Sequence, residues 1–355
     1  MQIAFDAKRY YNNTTGLGNY SRTLISRLSK YAPEVHQHLF VHKKFFKVAE
    51  LPQNTAVHVG EGNASLWRSV YLGKEIEKHT VDIFHGLSAE LPFYIPSNVK
   101  KVVTVHDVIF DIFPNQYTAL DRAMYRNKLQ FAVSKADKII AVSNSTKLDL
   151  QKYYKVEESK IEVVYPTWSP YFDLPLTNPP ELEGLPKDYF LFVGNEIERK
   201  NLKTVLKVLN KEKHPLVIIT SNKKKLEKEF KQRLKKMGKN QVTILENVSD
   251  VDMPAFYAKA YALIYPSLYE GFGLPVLEAL KSGTPVITTN NSSLKEVGAK
   301  GCLLLKKPTS TEELELNIKN ILESETYNKL TQQIKSHLSL FEPKKMVSNL
   351  MKVYE

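Results

Sequence analysis

Short apolar runs rich in Val, Ile and Phe alternate with amphipathic stretches through both halves of the chain. This is the sequence form of parallel sheets assembled from strand-helix-strand units. In the first half the runs are Ile3–Phe5, Leu39–Val41, Ile83–His85, Lys101–Val105, Lys138–Val142 and Ile161–Tyr165. The pattern then stops across a segment carrying Pro166, Pro170, Pro175, Pro179, Pro180 and Pro186, and restarts with Tyr189–Val193, Leu216–Ile219, Val242–Leu245, Ala262–Tyr265 and Pro285–Thr288. Proline lacks the amide that ladders and helix interiors require, so the interruption reads as a linker. Two α/β domains are expected, 1–167 and 168–342. Met346, Val347, Leu350, Met351 and Tyr354 recur at helical spacing and predict an amphipathic helix over 343–355. Open α/β sheets bind ligands at the carboxyl ends of their strands, so a binding cleft is expected between the domains.

Length and composition agree with that division. A chain of 355 residues, 43% hydrophobic and 25% charged, suits two globular domains. No apolar stretch approaches the ~18 residues of a membrane span, and an acid at Asp6 interrupts what would be a signal peptide, which points to the cytoplasm. Cys302, the single cysteine, lies between Gly301 and Leu303–Leu305 and reads as a packed, unreactive thiol. The net charge of +12 admits a nucleic acid, an anionic membrane surface or an anionic small substrate. No nucleic-acid-binding signature accompanies it. The densest basic run, Lys223 to Lys239, carries Leu226, Phe230, Leu234 and Met237 at helical spacing. It predicts an amphipathic helix whose lysine-rich face is either solvated or rests on anionic lipid.

The segment Tyr265–Pro285 holds the densest chemistry. A strand runs out at Tyr265–Pro266, a loop with Gly271 and Gly273 follows, and Pro275 suits the first turn of a helix that stops at Gly283. Amides of Phe272, Gly273 and Leu274 at such a start would suit a phosphate or a sugar hydroxyl. Glu270 falls on the loop, and Glu278 is expected in the first helical turn, facing back toward it. Just past the first strand of the second half, Arg199 and Lys200 place two cations together, suited to a diphosphate whose negative charge grows as it leaves. Near the start, Gly16-Leu17-Gly18 resembles a dinucleotide-binding turn only superficially, because some ten residues separate it from the first strand. His106 and Asp107 end the run Val103–Val105 at the carboxyl side of a buried strand. Asp250-Val251-Asp252 is formally a metal-binding D-x-D, but Ser249 before it can cap the following helix while the acids favour its positive end. The nine histidines show no ligand spacing, and no metal is expected.

The segment PSLYEGFGLPVLEALKSGTPV, with its E-x7-E pair, resembles the signature of the glycosyl transferases of group 1, glycosyltransferase family 4, and within it the bacterial α-mannosyltransferases of surface-polysaccharide assembly. VGNEIERKNL is similar to the same family's diphosphate-binding element, with Glu198 where a proline is usual. TGLGNY is similar to its glycine loop, with Asn19 replacing an Arg, and VVTVHDVIFDIFP to its strand-to-loop element. The resemblance implies a GT-B fold, two Rossmann-like domains facing each other across a cleft, and retaining, metal-independent transfer from a nucleotide-diphosphate sugar. It implies that Glu270 and His106 serve the donor sugar, that Glu278 holds the ribose, and that Arg199 and Lys200 neutralise the leaving diphosphate. Gly16, Gly18, Val248, Phe272, Gly273 and Leu274 would complete the donor site. The implied donor leans to GDP-mannose, with no other cofactor, and the acceptor to a saccharide or lipid-linked saccharide. A sugar-nucleotide 2-epimerase and a non-enzymatic sugar-nucleotide sensor are the other readings.

Overall fold

The computed structural model describes residues 1–46, 51–212, 214–238 and 241–355. The chain divides into two compact units, one of Met1–Pro170 with Phe341–Glu355 and one of Tyr171–Leu340. The break falls inside the proline-rich segment, which forms 3₁₀ turns at Pro170–Asp173 and Pro180–Leu182.

The first unit is a seven-stranded parallel sheet in the order β3-β2-β1-β4-β5-β6-β7. Its strands are β1 (Gln2–Asp6), β2 (His36–His42), β3 (Thr55–Gly60), β4 (Ile83–Gly86), β5 (Lys100–Val105), β6 (Lys138–Ala141) and β7 (Ile161–Val163). Helices cover the sheet, so central strands are apolar on both sides: Ile3, Ala4 and Phe5 are all fully buried. β1 pairs with β2 on one side and β4 on the other, and the strand order reverses there. β3 is absent from the apolar-run pattern because it is an edge strand, half-exposed along most of its length.

The closing helix, Pro343–Tyr354, packs on the Gly16–Tyr31 helix of this unit. It buries Met346, Val347, Leu350 and Tyr354. The Tyr354 hydroxyl lies 2.8 Å from His85 Nδ1, and Lys100 Nζ donates to the carbonyls of Val353 and Tyr354 at 2.9 and 3.1 Å. A lysine on the last carbonyls both satisfies them and complements the helix dipole.

The second unit is a six-stranded parallel sheet in the order β10-β9-β8-β11-β12-β13. Its strands are β8 (Phe190–Val193), β9 (Leu216–Thr220), β10 (Val242–Glu246), β11 (Ala262–Tyr265), β12 (Val286–Thr289) and β13 (Cys302–Leu305). Its order reverses between β8 and β11. Cys302 sits on the edge strand β13, where burial pushes the thiol far above its ordinary value and keeps it unreactive. The basic helix spans Lys223–Met237, started by the Asn222 side chain accepting from Lys225 N. Leu226, Phe230 and Met237 are buried, Leu234 packs beside them, and the helical geometry breaks locally at Phe230. Lys239, included in the basic run above, lies outside the described residues.

Candidate functional site

β8 and β11 are neighbours at the reversal of strand order, so the chain segments that leave their carboxyl ends are brought together. After β8 the chain makes a 3₁₀ turn over Glu198–Lys200, closed by Asn201 in the left-handed conformation (φ 58°). Asparagine tolerates that conformation better than most residues. Its Nδ2 donates to the carbonyls of Pro266 and Pro308 at 3.1 and 2.7 Å. Leu268 N donates to the Arg199 carbonyl at 2.8 Å, and Ser267 Oγ lies 3.1 Å from the same oxygen. The turn bearing the two cations is thereby stitched to the loop bearing Glu270.

Four donors converge on one oxygen of Glu270. Oε1 receives Lys200 Nζ at 2.7 Å, Arg199 at 2.8 Å, the Tyr265 hydroxyl at 2.9 Å and the Ser267 hydroxyl at 2.6 Å. None of these bonds goes to Oε2. Burial alone would raise this carboxyl, yet Lys200 and Arg199 pull it down to about 2, so it is ionised at any working pH. Lys200 also bonds the Tyr265 hydroxyl and lies 4.9 Å over that ring. Two cations and one carboxylate leave a net charge of about +1.

The helix past the loop, Leu274–Lys281, begins at Gly273, whose φ of 106° is open to glycine and strained for other residues. A Cβ there would also stand 2.7 Å from Leu294 Cδ2. Phe272 is buried, and Ser293 Oγ lies 2.8 and 2.7 Å from the carbonyls of Glu270 and Phe272, fixing the turn. Glu278 belongs to the second helical turn, not the first: the helix starts at Leu274, immediately before Pro275, which moves Glu278 to its fifth residue. Its half-buried carboxylate accepts from Tyr257 at 2.9 Å. Burial raises it to about 7 despite that hydrogen bond, and Asp250 adds to the rise. Val248 is half-buried in the loop after β10, two strands from β8.

His106 and the two early glycines belong to the first unit. His106 follows β5 directly, and its Nε2 donates to the Leu87 carbonyl at 2.8 Å, which leaves Nδ1 as the acceptor nitrogen of the neutral ring. Burial lowers it to about 4, so it is neutral near pH 7. Tyr20 packs against it edge to face at 4.6 Å. Gly16 and Gly18 sit in the first turn of the Gly16–Tyr31 helix and not on a loop, a correction to the sequence reading. Asn13 causes it. Its Oδ1 accepts from Thr15 N, Thr15 Oγ1 and Gly18 N, which nucleates the helix at Thr15, and a Cβ at Gly18 would meet the Asn13 carbonyl oxygen at 1.7 Å.

The D-x-D segment also differs in detail. Ser249 does not cap the Met253–Lys259 helix; Asp252 holds the N-cap position without a side-chain cap bond. Its carboxylate accepts from Ser249 at 2.5 Å and Thr177 at 2.7 Å, a stronger pairing than a cap because a charged acceptor meets two hydroxyls. The histidines are not all scattered in space. His38 of β2 and His58 of β3 stack with ring centroids 5.2 Å apart, and His79 lies 4.0 Å from His58. The described residues contain no group of three His, Cys, Asp or Glu side chains arranged to hold a metal. Sequence reasoning passed over Tyr257, Asn201 and Ser293, which meet the site segment from distant positions in the chain, and Tyr265 and Ser267, which lie five and three residues before Glu270 in the same segment.

Residues 178–337 match the family model for glycosyl transferases group 1, and residues 15–167 match that for glycosyltransferase family 4. The O-antigen chain mannosyltransferase B of Escherichia coli is 27% identical, over 93% of this chain and 93% of its own length. The O-antigen chain mannosyltransferase RfbU of Salmonella typhimurium is 30% identical, over 64% of this chain and 62% of its own. A sucrose-phosphate synthase from Thermosynechococcus elongatus shares the fold with a TM-score of 0.79 at 17% identity, covering 100% of this chain and 98% of that one. With one family matched across each of its two Rossmann-like units, the chain belongs to glycosyltransferase family 4, the glycosyl transferases of group 1, built on the GT-B architecture.

Proposed function

We propose that this glycosyltransferase moves mannose from GDP-mannose to a saccharide or lipid-linked saccharide, retaining the α configuration and using no metal ion, while resting peripherally on an anionic membrane. The observation that carries the reading is the pinning of Glu270 Oε1 by four donors, which fixes the carboxylate while Oε2 takes none of those bonds. Oε2 then serves the donor sugar, where positive charge develops as the bond to phosphate breaks. The net positive charge of Arg199 and Lys200 offsets the charge growing on the departing diphosphate, the work a divalent cation would otherwise do. A phosphate oxygen of that leaving group takes the acceptor's proton on the same face, so no covalent nucleophile is needed. His106, neutral with Nδ1 as acceptor, serves a sugar hydroxyl, and the helix starts at Gly16–Gly18 and at Gly273 favour phosphate. Mannose is chosen because both curated relatives are mannosyltransferases.

Incubation of the purified chain with GDP-mannose in EDTA, with and without an alkyl α-mannoside acceptor, tests this. GDP is expected to appear only with acceptor, in step with a new α-linkage seen by NMR. Turnover lost in EDTA and restored by Mn²⁺ overturns the metal-independent part. Conversion of GDP-mannose without acceptor overturns transfer in favour of epimerisation.

A further inference from the structure

Central strands of the first unit are covered on both sides and should be apolar there, yet β4 and β5 each place a polar side chain in that core. His85 and Thr104 are fully buried, and a buried polar group costs free energy unless it is hydrogen-bonded. Both are bonded to each other and to further residues. His85 Nε2 lies 2.8 Å from Thr104 Oγ1, the Tyr354 hydroxyl lies 2.8 Å from His85 Nδ1, and the Tyr20 hydroxyl lies 3.1 Å from Thr104 Oγ1. Tyr20 and Tyr354 are buried as well. The Gly16–Tyr31 helix, β4, β5 and the closing helix are thus joined through one hydrogen-bonded chain inside the core.

Burial lowers His85 to about 3, and His106 adds to the fall, so its ring is neutral. A neutral imidazole has one N–H and one acceptor nitrogen. The ring therefore receives from Tyr354 and gives to Thr104, or the reverse, and in both senses each nitrogen is satisfied. A complete buried network of this kind holds the side chains around it in one arrangement. The side chain it reaches is His106. The Tyr20 ring stands against that imidazole with centroids 4.6 Å apart and planes at 88°. The ring's other hold is its bond to the carbonyl of Leu87, two residues beyond His85. At the far end Lys100, which begins β5, binds the last carbonyls of the closing helix. The strand that leads into His106 is therefore tied to the closing helix twice, directly through Lys100 and by way of Thr104 and His85.

We propose that Tyr354, His85, Thr104 and Tyr20 form a positioning relay for His106, by which the docked end of the closing helix sets the orientation of that imidazole. Tyr20 is the last link, because its ring holds His106 in place only while its hydroxyl is anchored on Thr104. All four residues act through His106. A sugar hydroxyl bonds Nδ1 along one direction, and a ring turned out of line loses that contact during reaction. The inference rests on the reading of His106 given above, so its test includes a measurement that needs no turnover.

Tyr354→Phe and Thr104→Val each delete one hydroxyl at nearly constant volume, whereas Thr104→Ser keeps the hydroxyl. Initial rates with GDP-mannose and an alkyl α-mannoside are measured beside GDP affinity. The His106 imidazole resonance, identified by its absence in His106→Ala, is followed by carbon–proton NMR. Both deletions are expected to lower kcat roughly tenfold and to shift that resonance, with donor KM and GDP affinity within about twofold of the parent. Thr104→Ser should stay near the parent in rate and resonance. Lost stability alone would not produce that split. If Thr104→Val does not fold, Tyr354→Phe carries the test at the chain's penultimate residue. A His106 resonance indifferent to the deletions overturns the relay even if kcat falls, because the effect then bypasses His106. Parental kcat in the deletions, with His106→Ala inactive, also overturns it, and so does an equal loss in Thr104→Ser. If His106→Ala turns over like the parent, the reading of His106 fails and the resonance alone decides the relay: movement in the deletions supports it, and none sinks it.

Discussion

Glu270 and Glu278 stand eight residues apart in opposite electrostatic settings. Glu270 is the counter-ion of Arg199 and Lys200 and is held near 2, whereas Glu278, with one tyrosine hydroxyl and Asp250 nearby, is raised by burial to about 7. Glu270→Gln keeps the shape and leaves both cations uncompensated, so nucleoside diphosphate should bind at least as tightly as in the parent. Turnover should fall about 10²-fold, roughly 2.7 kcal/mol, because the carboxylate acts on charge that develops only in the transition state. Calorimetric titration of GDP beside initial rates checks both halves, and weakened GDP binding would mean that Glu270 holds the nucleotide instead. For Glu278 the linkage runs the other way. Its folded value lies above the ordinary 4.5, so the folded state keeps a proton that the unfolded chain releases. Its contribution to stability is full below about 4.5 and is lost as pH rises to about 7. Glu278→Gln should therefore flatten the fall in melting temperature across that window. If the ionised carboxylate holds the ribose, the ratio of parent to variant GDP affinity should also climb through pH 7. A constant ratio would remove Glu278 from the ribose.

At the scale of elements, two glycines separate close approach from backbone conformation. Gly18 lies inside a helix with ordinary φ, but its Cβ would stand 1.7 Å from the Asn13 carbonyl oxygen, a backbone atom that cannot rotate away. Gly283 has φ 79° and nothing within 4 Å of a Cβ. Gly283→Ala should cost about 1–2 kcal/mol of left-handed strain. Gly18→Ala should cost about 1–3 kcal/mol of overpacking and also disturb the three bonds Asn13 accepts at the helix start. Urea midpoints rank them, and Gly18→Ala at parental stability would show that the helix start can shift freely. The same contrast explains what the sequence could disclose. Central strands such as Ile3–Phe5 and Ala262–Tyr265 are buried on both sides and stand out as apolar runs. Thr55–Gly60 is half-exposed along most of its length and shows no apolar run, whereas Cys302–Leu305 is an apolar run of four residues that was read only as the setting of the thiol. The E-x7-E spacing and the Arg199–Lys200 pair were legible because they are local. The convergence of Arg199 and Lys200 on one oxygen of Glu270, the helical setting of Gly16 and the second-turn place of Glu278 follow from strand adjacency and cap geometry, which no periodicity reports.

For the whole molecule, the charge of +12 has no single sink in the sites described. The donor-side cations are partly cancelled by Glu270, and Arg68 in the first unit is more than matched by Asp6 and Glu90. No helix among the described residues is long and apolar enough to cross a membrane. The Lys223–Met237 helix buries Leu226, Phe230 and Met237 and exposes Lys224, Lys228, Lys231, Lys235 and Lys236, so its outer face is available to a partner that asks only for positive charge. Lys225 is engaged with Glu196 at 2.6 Å and is set aside. An anionic bilayer fits a face with many mobile cations and no exposed apolar stripe, since each lysine near such a surface adds about 1 kcal/mol without needing a fixed geometry. Replacing Lys228, Lys231 and Lys235 by Gln removes about 3 kcal/mol, or roughly 10²-fold in partitioning onto vesicles with an anionic lipid fraction. The parent's binding should itself fall steeply as salt shortens the range of the attraction to about 8–10 Å near physiological strength. Co-sedimentation with neutral and anionic vesicles at low and physiological salt measures both. If the triple variant partitions like the parent, the lysine face is a solvated surface and the membrane must be met elsewhere, if at all; if the parent partitions equally onto neutral vesicles, charge is not what draws it.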